Sequence, residues 1–336
     1  MPHALEQDLD HILAHTAGVW DSLRGANLFI TGGTGFVGAW LVESLVWANA
    51  RLNLNVRAVL LTRNAKAFAR KCPQAAADPS ISFLAGEASS FAFPEGQFPF
   101  VIHAAANTGS FLSDIEATRR VLEFSGTHGA KRLLFTSSGA VYGKQPPGMT
   151  HIPEDYAGAP PTTDLQTGYG QAKRISEFLC ASYGHESGFA VVLARLFAFT
   201  GPYLPLDINF AAGNFVRDAL RGGPIRVAGD GSPFRSYLYA ADLAIWLWRL
   251  LVEGQPARPY NVGSGEEVSI GRLAKIVANA ATPPCEVDIA RQPVPGAEPS
   301  RYVPSVERAL RELGLRPLVP LEEGVRRMLA WHNASR

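Results

Sequence analysis

Several classes of protein are excluded by what this sequence lacks. Cysteine occurs three times in 336 residues, at Cys72, Cys180 and Cys285. So few, so far apart and odd in number, they build neither a disulfide framework nor a thiolate metal site, which fits a reducing compartment. The eight histidines form no HExxH or similar cluster, so no metal is expected. Charge is sparse, at 18% of residues, and almost balanced at net +1. Without a basic stripe no nucleic-acid partner is expected. No apolar run reaches the roughly 18 residues of a membrane span. The N-terminus has no charged start leading into an apolar signal core. The expectation is a cytoplasmic protein with no membrane partner.

Apolar residues, in contrast, make up 47% of the chain. At this length they can fill one large domain, or a cofactor domain with a smaller substrate domain. Leu5, Leu9, Ile12 and Leu13 recur at helical spacing, so residues 4–16 read as an amphipathic lead-in helix packed on the body of the protein. Short apolar runs follow at Asn27–Thr31, Val56–Leu61, Ile81–Leu84, Phe100–His103, Arg132–Thr136 and Ala190–Phe197. Helical patterns lie between them, notably Phe36–Ala50, residues 114–128 and Tyr169–Tyr183. Continuous apolar strands alternating with helices predict an α/β fold, a doubly wound parallel sheet covered on both faces.

Residues 144–168, rich in Pro, Gly, Thr and Asp, read as a long surface loop. After Gly201-Pro202 the pattern is less regular. Helices are expected at Phe215–Arg221, Ala240–Val252, Glu307–Leu313 and Leu321–His332, and a strand at Ile225–Val227. Six prolines in 283–304 mark a loop or short-strand region. There is no internal repeat or low-complexity tract.

Thr31-Gly-Gly-Thr-Gly-Phe-Val-Gly38 stands between the first strand and the first long helix, with Gly32, Gly35 and Gly38 each three apart. A chain that turns sharply there and lets another backbone approach needs glycine. The helix N-terminus beyond it offers free N–H groups and a positive dipole to a pyrophosphate. In this strand–turn–helix context the triad reads as a dinucleotide loop. A fold selective for NAD places an acidic residue at the end of the second strand, to hold the ribose hydroxyls. Here the strand ends Leu60-Leu61-Thr62-Arg63-Asn64. Arg63 either pairs with a 2′-phosphate, which leans the cofactor from NAD towards NADP, or simply ends the strand in solvent.

Tyr169-Gly-Gln-Ala-Lys173 places a phenol and an ammonium at i and i+4, on one helical face. A tyrosine hydroxyl ordinarily ionises near pH ~10. A neighbouring ammonium and an oxidised nicotinamide would stabilise its phenolate and fit it for proton transfer. Lys173 can also hold the nicotinamide ribose. Ser138 closes the fifth apolar run, and parallel strands deliver such residues to the cofactor crevice. It can therefore meet Tyr169 and donate to the reacting oxygen.

The ordered set TGGTGFVG (31–38), HAAA (103–106), TSSGAVYG (136–143), YGQAK (169–173), Arg195…Gly201-Pro202, GDGSPFRSYLYAADLA (229–244), YNVGS (260–264) and RYVPS…LGL (301–315) resembles the extended short-chain dehydrogenase/reductases. More narrowly, it resembles the NAD-dependent epimerase/dehydratase family acting on nucleotide sugars, over roughly residues 26–332. The resemblance implies a Rossmann-like sheet of about seven parallel strands and a small mixed C-terminal substrate domain. After a helical lead-in at 1–25, residues 26–200 with part of 229–264 would bind NAD(P), and a discontinuous 201–336 the nucleotide sugar. It makes Ser138, Tyr169 and Lys173 the catalytic trio. Gly32, Gly35, Phe36, Val37, Gly38, Arg63, Glu87, Ala88, Ala104, Ala105, Tyr169 and Lys173 would meet the cofactor. Ser138, Asn214, Arg235 and Arg301 would meet the substrate, the arginine forks matching diphosphate oxygens. It also implies a homodimer joined through the helices around 114–128 and 169–183.

Departures from the family pattern narrow the reaction. Members that dehydrate hexoses carry an Asp-Glu pair directly after the catalytic hydroxyl, and UDP-glucuronate decarboxylases resemble a Ser-Glu version. Here Gly139 and Ala140 stand there, and neither transfers protons. The family's GDVRD is Gly86-Glu87-Ala88-Ser89-Ser90, its asparagine-rich segment is Leu196-Phe-Ala-Phe199, and Asp114 replaces the asparagine opening the fourth helix. The expected activity is therefore epimerisation or 4-keto reduction of a nucleotide-activated sugar, by hydride transfer at C4. The alternatives are a dehydratase or decarboxylase with an unusual acid/base set, a cofactor-binding member without turnover, and a reductase of a small non-nucleotide carbonyl compound.

Overall fold

The structure is a computed structural model describing residues 3–106, 110–208 and 210–334. Helices α1 (Glu6–His15) and α2 (Val19–Leu23) precede β1 (Asn27–Thr31), α3 (Phe36–Leu52), β2 (Arg57–Thr62), α4 (Ala65–Lys71), α5 (Pro73–Ala77) and β3 (Ile81–Ala85). Then follow β4 (Phe100–His103), α6 (Phe111–Thr127), β5 (Arg132–Ser138), α7 (Gly168–Ser187), β6 (Ala190–Leu196), β7 (Phe199–Thr200), α8 (Ala211–Leu220), β8 (Ile225–Val227), β9 (Phe234–Arg235), β10 (Leu238–Tyr239), α9 (Ala240–Glu253) and β11 (Pro259–Val262). The chain closes with β12 (Val268–Ser269), α10 (Ile270–Ala280), β13 (Val287–Ile289), β14 (Arg301–Tyr302), α11 (Glu307–Leu313) and α12 (Leu321–Ala334).

Seven strands form one parallel sheet in the order β3-β2-β1-β4-β5-β6-β11. The central strands are buried almost throughout because both faces are covered. On one face Trp20, Trp40, Trp246 and Trp248 are buried with the leucines of α3 and α9. On the other, Phe29, Phe91, Phe98, Phe124 and Phe135 pack with Val121 of α6 and Cys180 of α7. Each such phenylalanine contributes about 1.5–3 kcal/mol by leaving water. The strand order reverses between β1 and β4, so a crevice opens at their carboxyl ends, the place where such sheets bind ligands.

The lead-in helix lies against the first of these cores, burying Leu5, Leu9 and Ile12. It is anchored by polar contacts as well. The Asp8 carboxylate accepts from Tyr239 at 2.7 Å and from Arg327 at 2.6 Å, and His11 Nε2 lies 3.1 Å from Asp242 Oδ1.

Beyond β6 the chain builds small mixed sheets. β9 pairs in parallel with β14 and antiparallel with β12, β8 with β13, and β7 with β10. They share a second core of Phe215, Ile225, Leu273, Val277 and Met328. Helices α4, α5 and α10 lie outside the sequence expectations. So does β11, whose proline and asparagine break the apolar pattern. α10 starts without a break after the two-residue strand β12, where Ser269 caps it by accepting from Arg272 N at 3.1 Å.

Candidate active site

The glycine turn is shaped by how closely backbones approach. Gly32 has φ +71°, and a Cβ there would lie 2.4 Å from the carbonyl carbon and oxygen of Ala104. A Cβ on Gly38 would lie 2.3 Å from the Gly32 oxygen. Neither position can carry a side chain, because β1 and β4 must stay adjacent while α3 starts directly over the turn. Beside the turn runs a groove of about 450 Å³, lined by Gly32, Gly35, Thr62, Arg63, Glu87, Ala88, Ala104, Ala105 and Asp114 among others. Phe36 and Val37, at the start of α3, are partly buried against the core. Groove, exposed turn backbone and the open N-terminus of α3 together fit a dinucleotide.

Lys71 lies in the same groove, and sequence reasoning missed it. Its Nζ donates to the carbonyls of Thr34 and Gly35 at 3.1 and 3.0 Å, tying α4 to the glycine turn. No spacing signal announces it, because α4 itself is short and weakly patterned.

Ser138 is the last residue of β5, and Tyr169 and Lys173 lie on the first two turns of α7. The structure brings the three together at the carboxyl edge of the sheet. The Ser138 hydroxyl lies near enough to the Tyr169 phenol to act on its pKa. Lys173 is buried; its Nζ donates to the Thr136 carbonyl at 3.3 Å, lies 4.9 Å from the Phe135 ring centre and 5.8 Å from that of Tyr169. Burial lowers the Lys173 pKa, partly offset by the nearby Asp114 carboxylate. Tyr169 does not show the expected lowering. Burial raises its pKa, the Ser138 hydroxyl opposes this, and Asp114 adds to the rise. The ammonium that was to stabilise the phenolate is turned onto a backbone carbonyl.

Beneath this edge His103 is fully enclosed. Its Nδ1 lies 2.7 Å from Thr31 Oγ1 and its Nε2 3.2 Å from Thr118 Oγ1, which in turn lies 2.9 Å from Ser176 Oγ on α7. Desolvation lowers its pKa to about 3, with the Lys173 charge adding to the effect, so the ring is neutral.

Arg235 and Arg301, expected to meet the substrate, stand on the paired strands β9 and β14. Arg301 is ion-paired with Glu267 and lies over the Phe234 ring, 4.5 Å from its centre; Arg235 donates to the Phe234 carbonyl at 2.7 Å. Asn214 lines a different cleft, of about 670 Å³, with Arg217, Arg221 and Arg226. Its Oδ1 accepts from Arg217 at 3.2 Å. Two groups that sequence reasoning missed stand over Gly139. Tyr302, next to Arg301 in β14, packs its ring against Phe197 with centroids 4.7 Å apart. A signal for it exists in the RYVPS segment, where neighbours in a strand face opposite ways. No group of histidine, cysteine or acidic side chains among the described residues could hold a metal.

A parallel sheet with a glycine turn at its switch point and a Ser/Tyr/Lys group at its edge defines a Rossmann-like protein of the extended short-chain dehydrogenase/reductase class. Residues 28–263 match the model of the NAD dependent epimerase/dehydratase family, and the chain belongs to that family. It is 32% identical over 194 residues to UDP-glucuronic acid decarboxylase 5 of Arabidopsis thaliana, covering 58% of this chain and 55% of that protein. The chain spans about half the length of the relatives it matches at 32% identity. Among solved structures, it superposes on the UDP-glucose 4-epimerase of Thermotoga maritima, crystallised with UDP-glucose, with a TM-score of 0.76 at 21% identity, covering 92% of this chain and 99% of that one. DesIV, a dTDP-glucose 4,6-dehydratase of Streptomyces venezuelae solved with NAD and TYD bound, gives a TM-score of 0.75 at 22% identity over 92% and 98%. No helix among the described residues is long and apolar enough to cross a membrane.

Proposed function

We propose that the protein is an NAD(P)-dependent epimerase or 4-keto reductase of a nucleotide-diphosphate sugar. The observation that carries this reading is the meeting of Ser138, Tyr169 and Lys173 at the sheet edge, beside the glycine groove. Tyr169 takes the proton of the sugar C4 hydroxyl and returns it, while Ser138 holds the same oxygen. A nicotinamide held in the groove would supply the hydride acceptor and donor, and its oxidised ring a positive charge that would lower the pKa of the buried phenol. Lys173 keeps a cation behind the phenol and would hold the nicotinamide ribose. Arg235 and Arg301 hold the diphosphate, with Glu267 giving way to it. Arg63, exposed at the end of β2, leans the cofactor to NADP.

The division into a cofactor domain over 26–200 with part of 229–264, and a nucleotide-sugar domain over the rest of 201–336, belongs to this reading, as do a cytoplasmic location and a homodimer. Leu112 on α6 and Phe178 on α7 are 73% and 74% exposed, which supports association through those helices.

A second reading, decarboxylation or dehydration, is supported by the likeness to UDP-glucuronic acid decarboxylases. It needs an acid/base group other than Gly139 and Ala140. Incubation with NAD and UDP-glucose or UDP-glucuronate separates the two by product mass. An unchanged mass with a new sugar marks epimerisation, while loss of carbon dioxide or of water marks the second reading. In either case Tyr169→Phe is expected to lower turnover about 10²- to 10⁴-fold. Full activity in that variant would overturn the mechanism.

A further inference from the structure

Gly139 and Ala140 leave the reaction centre without an acid/base side chain after Ser138, but the space above them is filled. A Cβ on Gly139 would lie 2.6 Å from the Tyr302 hydroxyl and 2.7 Å from Cζ of Phe197. The missing side chain and the incoming phenol are thus one structural fact: a residue larger than glycine at 139 would displace Tyr302. Stacking on Phe197 fixes the Tyr302 ring, and its hydroxyl stands over Gly139, the residue after Ser138. Two phenols, Tyr169 from α7 and Tyr302 from β14, thus come near the Ser138 hydroxyl, which pulls the pKa of each down.

We propose that Tyr302 is a second substrate-contacting hydroxyl of the reaction centre, which donates a hydrogen bond to the sugar oxygen held by Ser138 and is supplied by the strand that also carries Arg301. This deepens the nucleotide-sugar reading and rests on it. Burial raises the Tyr302 pKa, and the Arg235 guanidinium at the paired position only partly opposes this. Tyr302 therefore stays protonated and acts as a donor. Its division of labour with Tyr169 follows: Tyr169 exchanges the proton, and Tyr302 stabilises the negative charge that grows on the oxygen as the proton leaves. Arg301 and Tyr302 are consecutive in β14 and leave it on opposite faces, so the strand carries the diphosphate contact and the sugar contact separately. The nucleotide handle and the reacting carbon are read by one strand.

The test uses Tyr302→Phe and Gly139→Ala in the full-length protein with NAD. Turnover of UDP-glucose is followed, and binding of UDP-glucose, UDP and NADH is titrated. Tyr302→Phe is expected to lower kcat about 100-fold, to weaken UDP-glucose more than UDP, and to leave NADH unchanged. Gly139→Ala, which pushes the ring away while keeping the phenol, is expected to reproduce the loss and so decides the matter if Tyr302→Phe folds poorly. Wild-type kcat and KM in both variants, with Tyr169→Phe inactive, would overturn the role of Tyr302 and leave the proposed function standing. If the wild type does not turn UDP-glucose over, the binding titrations decide. Unaltered preference for UDP-glucose over UDP in both variants overturns the proposal, and loss of that preference supports it.

Discussion

The glycine turn and the small sheet of β9 and β14 are built from different materials. At the glycine turn, backbone meets backbone: Gly32 against Ala104, Gly38 against Gly32. On the opposite side, at β9 and β14, long side chains meet each other: Arg301 with Glu267 and Phe234, Tyr302 with Phe197 and Ser138. The first arrangement admits almost no variation. The second can be retuned one residue at a time without disturbing the sheet. A family that keeps one cofactor chemistry and varies its sugar would be expected to divide its structure in this way.

Four substitutions probe the contrast. The largest effect is expected from Gly32→Ala. Strain at positive φ and overpacking against Ala104 each cost on the order of 1–3 kcal/mol, so the variant should lose NADH binding by fluorescence titration and melt at lower temperature. Normal NADH affinity would mean that the cofactor side is not governed by backbone approach. Arg301→Ala comes next. Losing hydrogen bonds to a charged group, worth about 1.5–3 kcal/mol, should weaken UDP roughly 10- to 100-fold while NADH binds as before. Glu267→Gln should move UDP affinity the other way, by freeing the same guanidinium. An unchanged UDP isotherm for Arg301→Ala would take the diphosphate away from β14. The smallest effect is expected from Arg63→Ala. It stands exposed in solvent, so NADP should weaken by only a few-fold more than NAD; equal losses would remove the lean to NADP.

The same division explains what could be read in advance. Six of the seven sheet strands stand out as short apolar runs, because the central ones are buried on both faces. The glycine spacing and the Tyr169/Lys173 pair are short-range patterns, set by one turn and one helix. The seventh strand, β11, is four residues long and starts at a proline. The small sheet of β9, β12 and β14 has two-residue strands with no periodicity to detect. Tyr302 lies 133 positions from Tyr169 in sequence, so only the folded chain shows that both reach Ser138. The direction of the Tyr169 pKa shift was also beyond reach, since it depends on how deeply the phenol is buried and on where the Lys173 ammonium turns.

His103 gives the molecule one more property. With a pKa near 3, the ring between Thr31 and Thr118 keeps a single protonation state throughout the neutral range. The strand that carries the groove-lining alanines therefore contributes no titration of its own there. The platform beneath the glycine groove is thus insensitive to acidification across the neutral range, and a bend in the rate profile there would report groups outside it.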